Sequence, residues 1–244
     1  MGYNVFIEVT LFLIIFSCVK GQKLNLTYHK SQVYPFKTRS WTDLLNVVVE
    51  CPNRGVIKNF ILKKDSHSFW YEFYCYSAVE LVNDYGEPII KVLYGTNYVN
   101  TENYYIQSNI RALNGFTLQC SVDYGLNTFG IYQKSNKLER NAYCHGLKTS
   151  YTSTLKFETT RKTCSYSTFD ALFDVVVGST ETENDIDIGY PLRGFKYVVD
   201  TSRSTSNPTV YYVYSYSKLR NMKVVLDDYK RRFKELRKNN DQAI

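Results

Sequence analysis

The sequence predicts an all-β chain: three degenerate β-hairpin repeats around a shared core, disulfide-bonded, with one amphipathic helix at the C-terminus. Three observations carry this. The 244 residues include 23 tyrosines and 14 phenylalanines but only 2 methionines and 12 glycines, a usage that suits half-buried strands, where tyrosine offers an apolar face and a polar tip. Short runs of β-branched and aromatic residues recur between polar breaks. Only one stretch, the last, has a helical apolar period. Apolar residues make up 44% of the chain, enough for a core of domain size.

Val9 to Phe16 is nearly all apolar and too short to span a bilayer. With Val19-Lys20-Gly21 after it, residues 1–21 read as a secretory signal peptide and Gln22 as the first mature residue. The expected location is therefore secreted and extracellular, where disulfides form. Asn25-Leu26-Thr27 is a glycosylation sequon, whereas Pro208 spoils Asn207-Pro208-Thr209.

Residues 22–217 form the expected β-rich repeat domain. Its clearest unit runs from Cys51 to Cys75, CPNRGVIKNFILKKDSHSFWYEFYC. Two apolar runs flank the polar turn Lys63–Ser68, which predicts a hairpin with Cys51 and Cys75 bonded; such a loop contributes on the order of 3 kcal/mol in the chain-entropy account. Alternation puts Phe69, Tyr71 and Phe73 on the core face and Trp70 with Glu72 on the other. Trp70, Lys63 and Lys64 are the candidate ligand-binding residues.

The pattern returns twice, giving passes at about 44–81, 100–138 and 184–217. Each pairs an aliphatic residue with a phenylalanine three residues on: Ile57 with Phe60, Leu113 with Phe116, Leu192 with Phe195. Asn59, Gly115 or Gly194 precedes the ring, a place for a recurring bulge or tight turn. An aromatic strand is expected after each: Phe69–Ser77, Phe129–Ser135 and Val210–Ser217. The links are less regular. Leu147–Thr163 reads as a solvated strand or a loop, and the acidic Ser179–Asp187 as a solvated loop.

Of the remaining cysteines, Cys144 with Cys164 is the preferred pair, leaving Cys120 odd. Cys120 with Cys144 is the alternative, because it repeats the spacing of the first pair. Residues 218–244 form a basic amphipathic helix and tail. Leu219, Met222, Leu226, Tyr229, Phe233 and Leu236 fall at helical spacing, a stripe for docking on the domain, for self-association as a homo-oligomer, or for a membrane or glycan surface.

No catalytic, metal or cofactor motif stands out, so the chain is expected not to be an enzyme. His29, His67 and His145 are far apart in sequence. Cys144 and His145 are adjacent, and on a strand they point to opposite faces. The net charge of +7 favours an acidic extracellular partner by long-range attraction; after secretion nucleic acid is not one.

The stretch CPNRGVIKNF…FWYEFYC resembles the repeat of the dermatopontin family, through Cys51, Pro52, Gly55, Ile57, Trp70, Phe73 and Cys75. Thr96–Asn100 resembles that family's segment between repeats. Asp65 lacks the arginine that follows it in the family, and passes two and three have Ser108 and Tyr190 near the place of the opening cysteine. The resemblance implies a secreted matrix or cell-adhesion protein that binds an extracellular protein or a sulfated glycan without catalysis. A hemagglutinin-like lectin is one alternative; a secreted effector or hydrolase with an unrecognised site is another.

Overall fold

The computed structural model describes residues 26–76, 104–105, 113–114, 116–121, 124–134, 137–146, 153–162, 169–184, 186–200, 209–220 and 222–241. Residues 1–21, expected to be a signal peptide, and Asn25 and Cys164 lie outside these.

The strands are β1 (Leu26–Lys30), β2 (Tyr34–Pro35), β3 (Val48–Glu50), β4 (Val56–Lys64), β5 (Ser68–Tyr76), β6 (Tyr104–Tyr105), β7 (Thr117–Gln119), β8 (Tyr124–Lys134), β9 (Lys137–Gly146), β10 (Ser153–Lys162), β11 (Val176–Gly178), β12 (Asp187–Gly189), β13 (Leu192–Asp200) and β14 (Thr209–Arg220). One α-helix, α1 (Met222–Asp241), follows. The fold is thus mostly β-sheet with a single C-terminal helix, as its composition predicts.

The strands form three antiparallel sheets, each built on one hairpin. The first has the order β1-β5-β4-β11, with β2 also on β5. The second is β3-β8-β9-β6, and the third β10-β14-β13-β7, with β12 on β14. In each, a short strand from elsewhere in the chain borders the first strand of the hairpin: β11 on β4, β3 on β8 and β7 on β13.

The three hairpins meet at three rings. Phe60, Phe129 and Phe195 are buried, with centroids 4.8 Å apart for Phe60–Phe129 and 5.0 Å for each of the other two pairs. Tilted and edge-on pairs of this kind contribute about 0.5–1.5 kcal/mol each beyond the area they bury. This corrects the reading of pass two. Its central ring is Phe129, three residues after Leu126, and Phe116 instead lies just before β7 and packs on Tyr197. Likewise Phe129 sits on the first strand of its hairpin, not the second.

Two residues before each central ring the ladder slips, between Ile57 and Asn59, Leu126 and Thr128, and Leu192 and Gly194. The bulge residues are Lys58, Asn127 and Arg193, one position earlier than expected for the first and third hairpins, and all are buried polar side chains. Each side chain donates to the segment that follows the neighbouring short strand. Asn127 Nδ2 reaches the Cys51 and Gly55 carbonyls at 3.0 and 2.7 Å. An Arg193 terminal nitrogen reaches the Cys120 carbonyl at 3.1 Å, and Lys58 Nζ reaches the Glu181 carbonyl at 2.8 Å. The bulges thereby satisfy backbone groups that the short strands leave unpaired. Gly194 is needed for close approach rather than for positive φ: a Cβ there would lie 2.1 Å from the Leu118 carbonyl oxygen.

Cys51 bonds Cys75 and Cys120 bonds Cys144, each pair 24 residues apart with Cα atoms at 5.8 Å. The first is the expected pair. The second corrects the preferred Cys144–Cys164 pairing: Cys120 follows β7 as Cys51 follows β3, and Cys144 sits opposite Leu126 as Cys75 sits opposite Ile57. The opening cysteine of the second hairpin is therefore Cys120, not a position near Ser108.

Two links also differ from expectation. The threonine-rich link is a strand, β10, laid along β14 from Ser153 opposite Leu219 to Lys162 opposite Val210. The acidic link is pinned. Lys58 Nζ lies 2.7 Å from Glu183, the Tyr76 hydroxyl donates to Glu183 at 2.5 Å, and the Tyr216 hydroxyl donates to Glu181 at 2.8 Å. Asp187 is held by Lys218 at 2.7 Å and Arg220 at 3.0 Å. Burial opposes the charged form of Glu183, but the hydrogen bonds from Lys58 and Tyr76 outweigh it, and its carboxyl lies below its ordinary range. Asp187 is lowered in the same way, Lys218 and Arg220 outweighing its burial.

The C-terminal boundary moves as well. Leu219 is buried in β14, where β12 and β10 pair with it, so the helix begins at Met222 rather than at Lys218. Leu226, Tyr229, Phe233 and Leu236 are exposed, so the described residues of the domain do not cover this part of the helix.

Candidate functional site

The sheet built on β1, β5 and β4 has an inner face of Phe69, Tyr71 and Phe73, all buried. Its outer face is set by the same alternation. Register places Tyr28 beside Tyr74, Lys30 beside Glu72 and Trp70 beside Lys63, so six side chains from three strands share one surface.

Tyr28 and Tyr74 are 52% and 39% exposed, with ring centroids 5.5 Å apart at an edge-on angle. Large phenols on an outer face are available for contact without rearrangement. Trp70 is half-buried. Its Nε1 donates to Glu72 Oε1 at 2.9 Å, and Lys30 Nζ lies 4.2 Å from its ring centroid, a cation–π geometry. Partial desolvation, then the neighbouring Glu72 carboxylate, hold the Tyr28 hydroxyl above its ordinary pKa. The result is an aromatic ridge with ammonium groups at its borders and a carboxylate whose acceptors are engaged by the ridge itself.

The expected ligand residues separate here. Lys63 shares the face with Trp70 and pairs with Asp174 at 2.9 Å. Both partners are well exposed, so the pair contributes little and opens readily. Lys64 belongs to the opposite face, where it pairs with Asp170 and lies 4.9 Å from the Phe173 ring centroid. Tyr28, Lys30 and Tyr74 were not singled out from sequence. The alternation in Leu26-Thr27-Tyr28-His29-Lys30 was the available signal, since His29 on the other face stacks on Phe73 at 5.5 Å.

A recess of about 430 Å³ lies at the second sheet between Arg54, Thr128, Tyr143 and His145, with Glu50 at its edge. Asn53 and Arg54 have φ of 52° and 59°, a left-handed pair that costs roughly 1–2 kcal/mol per residue. The bend brings the Arg54 carbonyl to 2.7 Å from His145 Nδ1, which fixes the ring with Nδ1–H donating. Cys144 points into the disulfide while His145 faces the recess, so thiol and imidazole do not meet. Asn127 at the floor has both amide hydrogens on backbone carbonyls and accepts from Thr128 Oγ1 at 2.6 Å; it is part of the frame. No described residues hold three histidine, cysteine or carboxylate side chains in a group able to bind a metal ion.

Among the described residues no helix is long and apolar enough to cross a membrane. Comparison of the chain with family models, curated proteins and solved structures finds no match.

Proposed function

We propose that this is a secreted, non-catalytic recognition protein whose ligand is an acidic glycan or acidic protein of the extracellular space. In this reading three degenerate copies of one hairpin unit form the scaffold, and the hairpin Cys51–Cys75 carries the likeness to the dermatopontin family. The observation that supports the binding role is the outer face of β1, β5 and β4. Its exposed phenols offer flat apolar surfaces to a sugar ring or a peptide, and Lys30 and Lys63 supply cations beside them. Two disulfides favour an oxidising compartment, which agrees with secretion.

Chromatography on immobilised heparin, together with a glycan array, tests this with wild type and Tyr28→Ala/Tyr74→Ala/Lys30→Ala. These side chains are exposed, so the variant should keep its melting temperature within a few degrees while elution moves to lower salt. Discrete hits on uncharged sugars that vanish in the variant favour the lectin alternative. Unchanged elution and an unchanged array profile refute the assignment of this face.

A further inference from the structure

The helix α1 carries an apolar stripe that no described residue covers. Leu226, Tyr229, Phe233 and Leu236 are 49%, 68%, 52% and 63% exposed. They follow one another at intervals of three and four residues, so they share one side of the helix. Lys230, Arg232 and Arg237 flank that side; Asp227 and Glu235 lie away from it, and Asp228 stands behind Arg232. Asp228 pairs with Arg231 at 2.5 Å and Arg232 at 2.9 Å, while Arg237 leans over the Phe233 ring at 5.7 Å.

Two occupants satisfy part of this surface and one satisfies all of it. A second copy would cover the stripe, but it would bring the cationic flanks of Lys230, Arg232 and Arg237 together, with Asp228 beside Arg232 offsetting only part of their charge. A sulfated glycan would meet the cations and leave four large apolar side chains in water. The described residues of the chain's own domain leave them exposed. An anionic bilayer surface takes the aliphatic and aromatic side chains at the boundary of its acyl region and the ammonium and guanidinium groups at its phosphates.

We infer that α1 is a surface-lying membrane anchor that docks the protein on bilayers exposing anionic lipid. The helix has 20 residues, about 30 Å at 1.5 Å per residue, and its run of charges keeps it in the plane of the interface rather than across it. The inference is independent of the glycan reading, since Tyr28, Lys30 and Tyr74 lie on another element.

Flotation of the full-length protein with vesicles tests it, using phosphatidylcholine alone or mixed with phosphatidylserine. The protein should float with the mixed vesicles only and release as salt is raised. Lys230→Gln/Arg237→Gln should lower partitioning about 25-fold, taking a factor of about five for each cation at the surface. Phe233→Ser/Leu236→Ser should abolish flotation without moving the melting temperature, because both residues are exposed. Failure to float with the mixed vesicles overturns the inference, as does equal flotation with phosphatidylcholine alone. So does a dimer in sedimentation, without vesicles, that Phe233→Ser/Leu236→Ser returns to monomer: the occupant is then a second copy.

Discussion

Replacing Lys58 by methionine isolates the junction between the first sheet and the acidic link. Methionine keeps the apolar stem in the bulge but leaves Glu183 with the Tyr76 hydroxyl as its remaining side-chain donor. The Lys58 and Glu183 side chains are 7% and 13% exposed and 2.7 Å apart. Removing one partner of a buried ion pair costs about 3–5 kcal/mol. Because Tyr76 still donates to Glu183, the lower end, about 3 kcal/mol, is expected; at about 2–4 °C per kcal/mol for a domain of this size, the melting temperature should fall about 6–12 °C. Urea unfolding at neutral pH with the disulfides intact measures the loss. Lys58→Met/Glu183→Gln removes both charges and should recover most of it. The pH dependence has a definite sign. Glu183 titrates lower in the folded than in the unfolded chain, so its contribution is present above the ordinary glutamate pKa and is lost as the pH falls through the folded value. In Lys58→Met the Glu183 pKa rises, and this acid-side loss should shrink, leaving the part due to Asp187. Additive effects of Lys58→Met and Glu183→Gln, or an acid limb identical to wild type, would refute the argument.

Non-reducing peptide mapping should recover Cys51–Cys75 and Cys120–Cys144; a peptide joining Cys144 to Cys164 would overturn the second pair. Alanine at Phe60, Phe129 or Phe195 should cost about 3–5 kcal/mol in each case, measured by urea unfolding; a loss below about 1 kcal/mol at any one would remove it from the shared core. Tyr71, Tyr197 and Tyr212 are buried, and burial first, then their mutual interactions, hold their pKa values well above the ordinary tyrosine value. Neutral phenols are favoured in the folded state, so their stabilisation is complete below the ordinary tyrosine pKa and declines as the pH rises above it. Spectrophotometric titration should show a group of tyrosines that ionise only with unfolding, and smooth ionisation of every tyrosine in the folded protein would contradict this.

Local rules read the first hairpin well. After the bulge, residues 59–63 and 68–75 alternate cleanly, so burial of Phe69, Tyr71 and Phe73 and the outward position of Trp70 follow from period two. The second hairpin was misaligned because Leu113–Phe116 and Leu126–Phe129 share the same spacing, and only the packing of Phe129 on Phe60 and Phe195 distinguishes them. The pinned acidic link was illegible for a different reason: Lys58 and Glu183 are 125 residues apart, and nothing local marks a lysine as the buried residue of a bulge. At the tail, Leu219 fits both the helical stripe and a strand. Pairing with β10 and β12 decides for the strand, a tertiary choice that periodicity does not record. On the outer face of β1, β5 and β4, the proposed binding surface, the sequence pointed to Trp70 and Lys63. It left out Tyr28 and Lys30, because β1 is a short edge strand whose role depends on the strand it joins.

The two disulfides and the bulge at Lys58 differ in one respect. Cys51–Cys75 fastens the segment after β3, in the second sheet, to the first sheet, and Cys120–Cys144 fastens the segment after β7, in the third sheet, to the second. At the remaining meeting point, between the third sheet and the first, Ser179 and Tyr216 occupy the places of the cysteines: Tyr216 bonds Glu181 across the junction, and Lys58 and Tyr76 hold Glu183 of the same link to the first sheet. The molecule is a bracelet with two riveted links and one clasp. Reductant does not act on the clasp; acid that protonates Glu183 weakens it. Hydrogen exchange during a mild acid shift should therefore begin at Val176–Gly178, where β11 lies on β4, while the amides beside both rivets remain protected.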